Sequence, residues 1–204
     1  IIHLKLNKSG LPSALNYSIN KTTTEYYARM DSDDISFPNR IEKQFNYLEN
    51  SKDIDIIGTW AIEFEESHDL ITNYVIQMPT DEKLICELFH YRSPLIHPSV
   101  MFRTSVFKKI GVYNPKFLTQ QDLELWGRAI RYKINIVNIP EPLLYYRTTG
   151  VLNRRSNINE IILQIKARYS LNTFSIKLNL LKIIAMMFRL LPYKFRKWGY
   201  KTLR

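Results

Sequence analysis

The sequence predicts a mixed α/β domain that is followed by a helical, basic tail. Short segments rich in aromatic and β-branched residues alternate with segments of helical periodicity, at the spacing of β-α-β units. A length of 204 residues allows one domain with a sizeable core and a modest appendage. The apolar fraction of 45% and the charged fraction of 24% are typical of a globular chain. We therefore expect a domain over residues 1–150 and a tail over residues 151–204.

The first part of the domain contains several segments with the features of strands. Residues 25–30, EYYARM, predict a short aromatic-rich strand. Residues 54–64 and 71–77 are also typical of strands. The strand over residues 25–30 leads directly into a group of three acidic residues, which places these residues at a strand end.

Residues 36–50 predict the first long helix. Pro38 suits a first helical turn, because its fixed backbone angle is compatible with the start of a helix. Ile41, Phe45 and Leu48 fall at i, i+4 and i+7 and so share one apolar face.

Two helices and a strand are predicted in the middle of the domain. Residues 80–91 predict a helix with Thr80 as its N-cap and acidic residues in its first turn. Residues 95–103 are typical of a strand, and residues 104–111 predict a short helix that Gly111 ends.

The last part of the domain is predicted to contain one helix and two closing strands. Residues 119–133 predict the helix, with Thr119 as a candidate cap. Residues 134–139 and 142–148 are typical of strands. The helix therefore lies between the strand over residues 95–103 and the closing strands.

The tail carries the net charge of the chain. The formal net charge is +10, yet residues 1–160 hold 19 Lys/Arg and 19 Asp/Glu, whereas residues 161–204 hold ten Lys/Arg and no acid. The pattern over residues 158–191 is helical, with an interruption near Asn172. One face of the second helix is apolar and consists of Leu180, Ile183, Ile184, Met187 and Leu191.

Two interpretations of the tail stay open. Its helix either packs on the domain with a solvated basic end, or lies in the interface of an anionic membrane with its apolar face among the headgroups. The sequence contains no apolar stretch of the length that predicts a transmembrane helix. Nucleic acid is not an expected partner, because residues 1–160 are neutral and contain no recognition motif.

Cysteine and histidine usage excludes two kinds of site. Cys86 is the only cysteine, so no intrachain disulfide can form, which fits a reducing compartment. No Cys/His cluster has the spacing of a zinc site, since the histidines are scattered at His3, His68, His90 and His97.

Asp31, Asp33 and Asp34 place three carboxylates within four positions. A helix cap formed by Asp34 or Ser36 would explain one or two of them but does not require Asp31. A calcium loop is excluded, because Ser36 occupies the position at which that loop requires glycine. Side chains at i and i+2 of an extended segment point the same way, so Asp31 and Asp33 can converge on one hard cation. A D-x-D motif alone is a weak signal and needs a second catalytic element.

Asp122 offers that second element. It lies near the start of the helix predicted over residues 119–133 and follows Gln120 and Gln121. An acid in this position is either a cap or first-turn residue that favours the helix dipole, or a general base. The spacing alone leaves both interpretations open.

Five further segments occur in a fixed order along the domain: GLPSALN (10–16), ARMDSDDISFPNRIEKQ (28–44), IIGTWA (56–61), HPSVMFRTSVFKKIGVYN (97–114) and QDLELWGRA (121–129). Together they resemble the family-2 glycosyltransferases of the GT-A fold, and in particular the bacterial enzymes of surface-polysaccharide assembly. The resemblance extends from about residue 5 to residue 148. It implies a GT-A-like α/β fold with a mixed, mainly parallel sheet flanked by helices, in which the first strands of the nucleotide-binding half are absent from this chain.

The resemblance implies a nucleotide-sugar donor, most simply a UDP-sugar, and a divalent metal, Mg or Mn. Asp31 and Asp33 match the D-x-D motif, with Asp33 nearer the metal and Asp31 nearer the nucleotide. Asp122 matches the catalytic base, and Gln121 stands where the family usually has glutamate. The resemblance also implies two groups of contacts. The near edge of the nucleotide pocket corresponds to Lys8, Gly10 and Asn16. The sugar or acceptor side corresponds to His97, Ser99 and Gln121, although a structural role for His97 is an equal alternative.

The function that follows is inverting transfer of a sugar to a polysaccharide or lipid-linked saccharide acceptor. The basic tail predicts attachment to an anionic membrane surface, so the expected location is cytoplasmic and peripheral on the inner face of the cell membrane. Two alternatives stay open. One is a truncated, inactive glycosyltransferase remnant that acts as a membrane-surface binding module. The other is a metal-dependent nucleotidyltransferase, a class that also uses α/β folds with metal-binding acids.

Overall fold

The computed structural model of the chain describes Lys5 and residues 10–65, 71–149 and 158–202. Its strands are β1 Tyr26–Ala28, β2 Ile35–Ser36, β3 Ile56–Phe64, β4 Ile71–Ile76, β5 Met101–Arg103 and β6 Ile136–Arg147. Its helices are α1 Leu11–Lys21, α2 Arg40–Asn50, α3 Glu82–Phe89, α4 Ser105–Ile110, α5 Gln121–Arg131, α6 Ile158–Tyr169, α7 Ile176–Leu190 and α8 Tyr193–Thr202.

The strands form one sheet in the order β1-β5-β3-β6-β2, and β4 pairs with β3 outside this path. The predicted mixed sheet flanked by helices is confirmed. Its mainly parallel character is wrong for the described residues, in which β3 and β6 run parallel while the other four pairings are antiparallel. A helix that connects two strands does not determine whether they run parallel or antiparallel, because the chain can re-enter the sheet from either end.

The central strand β3 separates two apolar layers. Successive side chains of a strand point to opposite faces. Accordingly, Ile56 packs with buried residues of α1, α3, α4 and α5, whereas Ile57 packs with Leu48 of α2 and with β5 and β6. The sheet is therefore covered by helices on both faces. The larger layer is centred on Trp126 and Phe102, whose rings stack 5.9 Å apart.

Helix α2 buries a different face from the one that the apolar pattern predicted. Ile41 and Phe45 are 48% and 44% exposed, whereas Arg40, Gln44 and Leu48 are buried. The reason is hydrogen bonding to neighbouring backbone. Gln44 donates to the carbonyls of Ile57 and Ser99 at 3.2 and 2.8 Å, and Arg40 likewise reaches two carbonyls. These bonds satisfy buried carbonyls that an apolar face would leave without donors.

Several predicted boundaries change in detail. The cap of α3 is Asp81 instead of Thr80, since the Asp81 carboxylate accepts from the amide of Leu84 at 2.9 Å. The predicted strand over 95–103 is shorter, because His97–Ser99 forms a 3-10 turn before β5. The two closing strands are one continuous strand, β6, which keeps its pairing with β3 across Pro140 by shifts in register.

Helix α5 begins one residue later than its candidate cap predicted. Gln120, rather than Thr119, precedes its first residue and adopts the left-handed backbone conformation, with φ of 60°. The start of the helix is therefore a sharp turn of the chain, and Asp122 lies in the first helical turn. The helix is held by Glu124 and Arg128, whose side chains form two 2.8 Å bonds with each other while Arg128 also donates to backbone carbonyls.

The tail folds as predicted into helices with an interruption between Tyr169 and Ile176. Helix α7 is oriented so that the side chain of Lys182 faces the interior. Lys182 is fully buried and donates its ammonium to the carbonyls of Arg168 and Leu171 at 3.2 and 3.1 Å. None of the helices in the described part of the chain combines the length and apolarity needed to cross a bilayer.

The opposite face of α7 is apolar and open to solvent. The exposed fractions along it range from 44% to 85%, for Ile176, Leu180, Ile183, Ile184, Met187 and Leu190. The predicted apolar face is therefore present on the helix, but it points away from the domain. Phe174, Phe195 and Trp198 add further exposed apolar area at both ends of the helix.

Candidate active site

The three aspartates form a tight turn at one end of the sheet. Strand β1 ends at Ala28, the chain turns through Asp31, Asp33 and Asp34, and β2 begins at Ile35. The turn is closed by the amide of Asp34, which lies 3.4 Å from the carbonyl of Asp31. One carboxylate oxygen from each aspartate lies within 4.8 Å of the others. The three carboxylates therefore come together, but through a turn and not through the extended segment from which the sequence predicted convergence of Asp31 and Asp33. We call this group the aspartate cluster.

Asp34 is the buried member of the aspartate cluster. It is 6% exposed, and its Oδ1 accepts a hydrogen bond from the amide of Arg147 on β6 at 2.8 Å. Its other oxygen, Oδ2, is buried and has no hydrogen-bond partner. Burial is the main cause that raises the pKa of this carboxyl; the Arg147 bond lowers it, the charges of Asp31 and Asp33 raise it, and the resulting pKa is about 6. Asp34 is not the helix cap that the sequence allowed, since Asn39 precedes α2.

A buried arginine supports the cluster from the protein side. Arg29 is 4% exposed, and its Nη2 pairs with the carboxylate of Asp31, whose side chain remains 34% exposed. Its Nε and Nη1 are buried without a hydrogen-bond partner. The backbone of Arg29 is fixed on both sides, because its amide donates to the Val100 carbonyl at 2.9 Å and its carbonyl accepts from Arg40 at 3.2 Å. Sequence reasoning missed Arg29, and the only available signal was a charge inside a predicted strand.

His97 and Tyr113 form a buried pair in the core. The His97 Nε2 and the Tyr113 hydroxyl share a 2.8 Å hydrogen bond. Burial, and next the charge of Arg29, hold the pKa of His97 well below its usual range, so the imidazole is neutral. Burial raises the pKa of Tyr113 well above its usual range. His97 is 7% exposed, so the geometry favours the structural alternative, and a sugar contact stays a prediction.

The pKa of Tyr113 also responds to the acidic residue in the first turn of α5. The charge of Asp122 is among those that raise the pKa of Tyr113, while Arg29 acts on the same hydroxyl in the opposite direction. Asp122 is half-buried and Gln121 is 7% exposed. The charge of Arg29 thus acts on both members of the His97–Tyr113 pair, and the charge of Asp122 acts on Tyr113.

Other predicted site residues have structural partners. Asn16 exchanges two hydrogen bonds with the backbone of Tyr113, at 2.7 and 2.9 Å, so its amide holds the chain before α5. Ser99 is fully buried, and its hydroxyl donates to the carbonyl of Ile96 at 2.8 Å and accepts from the amide of Thr59 at 3.1 Å. Gly10 precedes α1 with φ of 105°, a conformation that favours glycine. Lys8 lies outside the described residues. The substrate contacts predicted for these four residues stay predictions.

The residues of the aspartate cluster fit a hard divalent cation. Mg and Mn prefer carboxylate oxygens, and a cluster of three carboxylates offers them at short mutual distances. The buried Oδ2 of Asp34 is an acceptor without a hydrogen-bond donor, and a cation coordinated by this oxygen would take the place of the donor. Among the described residues, this is the group of acidic and histidine side chains that has the geometry of a metal site.

A family model described as glycosyl transferase family 2 matches residues 1–111. The chain is 32% identical, over 197 residues, to the UDP-Gal:alpha-D-GlcNAc-diphosphoundecaprenol beta-1,3-galactosyltransferase of Escherichia coli, and the alignment covers 94% of this chain and 70% of that protein. It is 30% identical over 198 residues to the amylovoran biosynthesis glycosyltransferase AmsE of Erwinia amylovora, covering 94% and 73%. An uncharacterized glycosyltransferase of Methanocaldococcus jannaschii is 33% identical over 165 residues, covering 78% and 55%.

Solved structures show the same fold. The structure of S. aureus TarS 1–349 in complex with UDP-GlcNAc superposes with a TM-score of 0.60 at 12% identity, covering 98% of this chain and 55% of that one. The chain thus spans between about half and three quarters of the length of these relatives. The similarity covers β1 to β5, which contain the aspartate cluster, and extends through α5 in the longer alignments.

Proposed function

The chain belongs to glycosyltransferase family 2, and we propose on this basis that its aspartate cluster and Asp122 transfer a sugar from a nucleotide-sugar donor to a saccharide acceptor. The observation that carries the proposal is the aspartate cluster, whose three carboxylates converge within 4.8 Å at the turn between β1 and β2. We propose a UDP-sugar as donor and a polysaccharide or lipid-linked saccharide as acceptor. The named relatives support this proposal.

The aspartate cluster would hold Mg or Mn, with Asp33 as its most exposed member. A cation bound there supplies positive charge to the departing diphosphate. The protein contributes the orientation of the carboxylates, which the turn between β1 and β2 fixes, and an accepting side chain for the nucleotide at Asp31. Lys8, Gly10 and Asn16 are proposed on the nucleotide side of the pocket.

Asp122 would act as the general base. Its carboxylate takes the proton from the acceptor hydroxyl while the hydroxyl oxygen forms a bond to the anomeric carbon. The bond from that carbon to the diphosphate oxygen breaks on the opposite side, so the configuration at the carbon is inverted. Positioned base catalysis typically contributes about 10²–10⁴-fold to the rate. Gln121, His97 and Ser99 are proposed near the sugar or acceptor, with Gln121 next to the base.

We also propose that α7 lies on an anionic membrane surface. Its exposed apolar face supports this, because a buried Lys182 on the opposite side fixes which face is outward. The ten Lys/Arg of residues 161–204, without an acid, supply the attraction for anionic headgroups. A peripheral site on the inner face of the cell membrane would bring the active site close to a lipid-linked acceptor.

The transfer reaction is tested by release of UDP and by the mass of the acceptor product. The chain is incubated with individual UDP-sugars, Mn²⁺ and a lipid-linked saccharide. We expect Asp122→Asn to lower turnover by at least about 100-fold while nucleotide binding measured by calorimetry is unchanged. Turnover within about threefold of the wild type would overturn the role of Asp122. A product that carries the nucleotide would instead indicate nucleotidyl transfer.

A further inference from the structure

The Arg29–Asp31 pair differs from an ordinary surface ion pair. The Arg29 side chain is 3% exposed, and Asp31 is the one carboxylate with which it forms an ion pair among the described residues. A buried guanidinium that loses its only anion is strongly unfavourable, because the remaining charge is desolvated and uncompensated. The pair is therefore held together by the position of Arg29, whose backbone is fixed by Val100 and Arg40.

This pairing makes the three carboxylates of the aspartate cluster unequal. The Oδ1 of Asp31 is already bound to a full positive charge. Asp33 is exposed, and its backbone carbonyl is held by Nε of Arg147 at 3.0 Å, which fixes the turn but leaves its carboxylate facing solvent. Asp34 has one oxygen in a bond to the Arg147 amide, and its Oδ2 is buried without a hydrogen-bond partner.

We propose that Arg29 is an internal counter-ion, which neutralises Asp31, keeps it out of the coordination of the cation and directs a divalent cation to Asp33 and Asp34. The proposal rests on the metal site of the proposed function and deepens it. Asp31 then keeps its exposed oxygen for the nucleotide. Arg29 acts through Asp31 and touches no substrate, so it is a positioning residue.

Charge balance gives a direct physical reason for this arrangement. Three carboxylates within 4.8 Å repel one another strongly in the absence of a cation. The charge of Arg29 cancels that of Asp31, which leaves the carboxylates of Asp33 and Asp34 for one divalent cation. Asp34 is the second ligand in this scheme because its unpartnered Oδ2 is nine-tenths buried. A bound cation would satisfy that oxygen.

The test is binding of Mn²⁺ alone, followed by the electron paramagnetic resonance signal of free Mn²⁺. The decisive variant is Arg29→Gln combined with Asp31→Asn, because it removes the pair without changing the net charge or leaving a bare buried charge. We expect its Mn²⁺ affinity to stay within about threefold of the wild type, since the two removed charges cancel. We expect Asp33→Asn and Asp34→Asn each to weaken binding by at least about tenfold.

Arg29→Gln alone should change the Mn²⁺ affinity in the opposite direction from the two asparagine variants. Freeing Asp31 for the cation and removing a nearby positive charge should tighten Mn²⁺ binding by about tenfold. Arg29→Lys, which keeps the charge, should not tighten it. Lys43→Gln is the matched control, because it removes a positive charge from the more exposed pair between Lys43 of α2 and Glu141 of β6 and should leave the affinity unchanged.

Three results would overturn the proposal. The first is a loss of about tenfold or more in the Mn²⁺ affinity of the charge-neutral double variant, which would make Asp31 a ligand. The others are an unchanged Mn²⁺ affinity in Asp34→Asn and the absence of Mn²⁺ binding by the wild type. If Arg29→Gln alone fails to fold, the double variant and the two asparagine variants decide the question. The proposed function is judged separately by UDP release. Mn²⁺ binding in the expected pattern without sugar transfer would contradict the transfer reaction and support the role of Arg29.

Discussion

Asn16 and Tyr113 are joined by two reciprocal hydrogen bonds across 97 positions of sequence. The Asn16 side-chain nitrogen donates to the Tyr113 carbonyl at 2.7 Å, and the Tyr113 amide donates to the Asn16 oxygen at 2.9 Å. An asparagine side chain thus pairs with the backbone in the manner of a neighbouring strand. This pairing anchors α1 to the segment that contains the Tyr113 hydroxyl and leads to Asp122.

Replacing Asn16 with alanine should therefore destabilise the protein. Both bonds are lost, and the Tyr113 amide and carbonyl are left without partners in a partly buried position. We expect a decrease of about 2 kcal/mol in the free energy of unfolding, measured by urea denaturation. Asn20→Ala, at an exposed position of the same helix, is the control and should change stability by less than about 0.5 kcal/mol. Equal effects of the two substitutions would contradict the role of Asn16.

The raised pKa of Asp34 should make the cation-free protein less stable above pH 6. An acid with a folded pKa above its unfolded value binds its proton more tightly when folded, so this stabilisation is present at low pH and is lost as the pH rises through about 6. The loss for Asp34 is at most about 3 kcal/mol. We expect Asp34→Asn to gain stability relative to the wild type between pH 4.5 and pH 7.5, measured by urea denaturation with a chelator present.

Two comparisons make the Asp34 prediction specific. Asp53→Asn, at an exposed position, should show no such pH-dependent gain relative to the wild type. Addition of Mn²⁺ at pH 7.5 should stabilise the wild type more than Asp34→Asn. A constant difference between Asp34→Asn and the wild type across this pH range would show that the carboxyl of Asp34 is not perturbed.

His90 should have the opposite pH dependence. It is 4% exposed, and burial, followed by the charges of Lys182 and Arg168, lowers its pKa to about 4. A base with a lowered folded pKa contributes stability above its unfolded pKa of about 6.5, and this is lost as the pH falls towards 4. The wild type should therefore lose up to about 3 kcal/mol more than His90→Gln between pH 7 and pH 4, measured by urea denaturation.

The comparison between His90→Gln and the wild type isolates the effect of His90 protonation on stability. His97 is buried in both proteins, so its own protonation contributes equally and cancels in the difference. Lys182→Met should raise the pKa of His90, since it removes one of the charges that lower it. Parallel stability curves for the wild type and His90→Gln would refute the prediction.

The exposed face of α7 should control membrane binding. Ile184→Asp combined with Met187→Asp places two charges on that face, where both residues are more than half exposed, so the fold should be retained. We expect flotation with vesicles containing anionic phospholipid to fall by at least about tenfold. Asn20→Asp combined with Asn50→Asp adds the same charge at exposed positions of α1 and α2 and should leave most of the flotation intact. No flotation by the wild type would refute the membrane proposal.

The sequence allowed prediction of features that depend on local patterns. The aspartate cluster lies at a strand end as expected, and α5 follows a turn with Asp122 in its first turn. Both are visible in a single sequence because residue type and spacing at the end of a strand or the start of a helix are local properties.

The features that could not be predicted depend on partners that are distant in sequence. Gln44 faces inward because it meets the carbonyls of Ile57 and Ser99, and Arg29 pairs with Asp31 from within the core. Hydrophobic periodicity treats such polar residues as surface positions. The predicted strand directions were wrong for a related reason, since the spacing of elements does not determine the end at which the chain enters the sheet.

The inward position of Lys182 has a consequence for how α7 can vary. Its ammonium bonds two carbonyls and lies 4.6 Å from the Tyr169 ring, so this position requires a long side chain with several donors. Leu180, Ile184 and Met187 meet no such requirement, because more than half of each side chain is exposed. Among natural variants of this helix, we expect the polar position to be nearly invariant and the apolar positions to exchange freely among large aliphatic and aromatic residues.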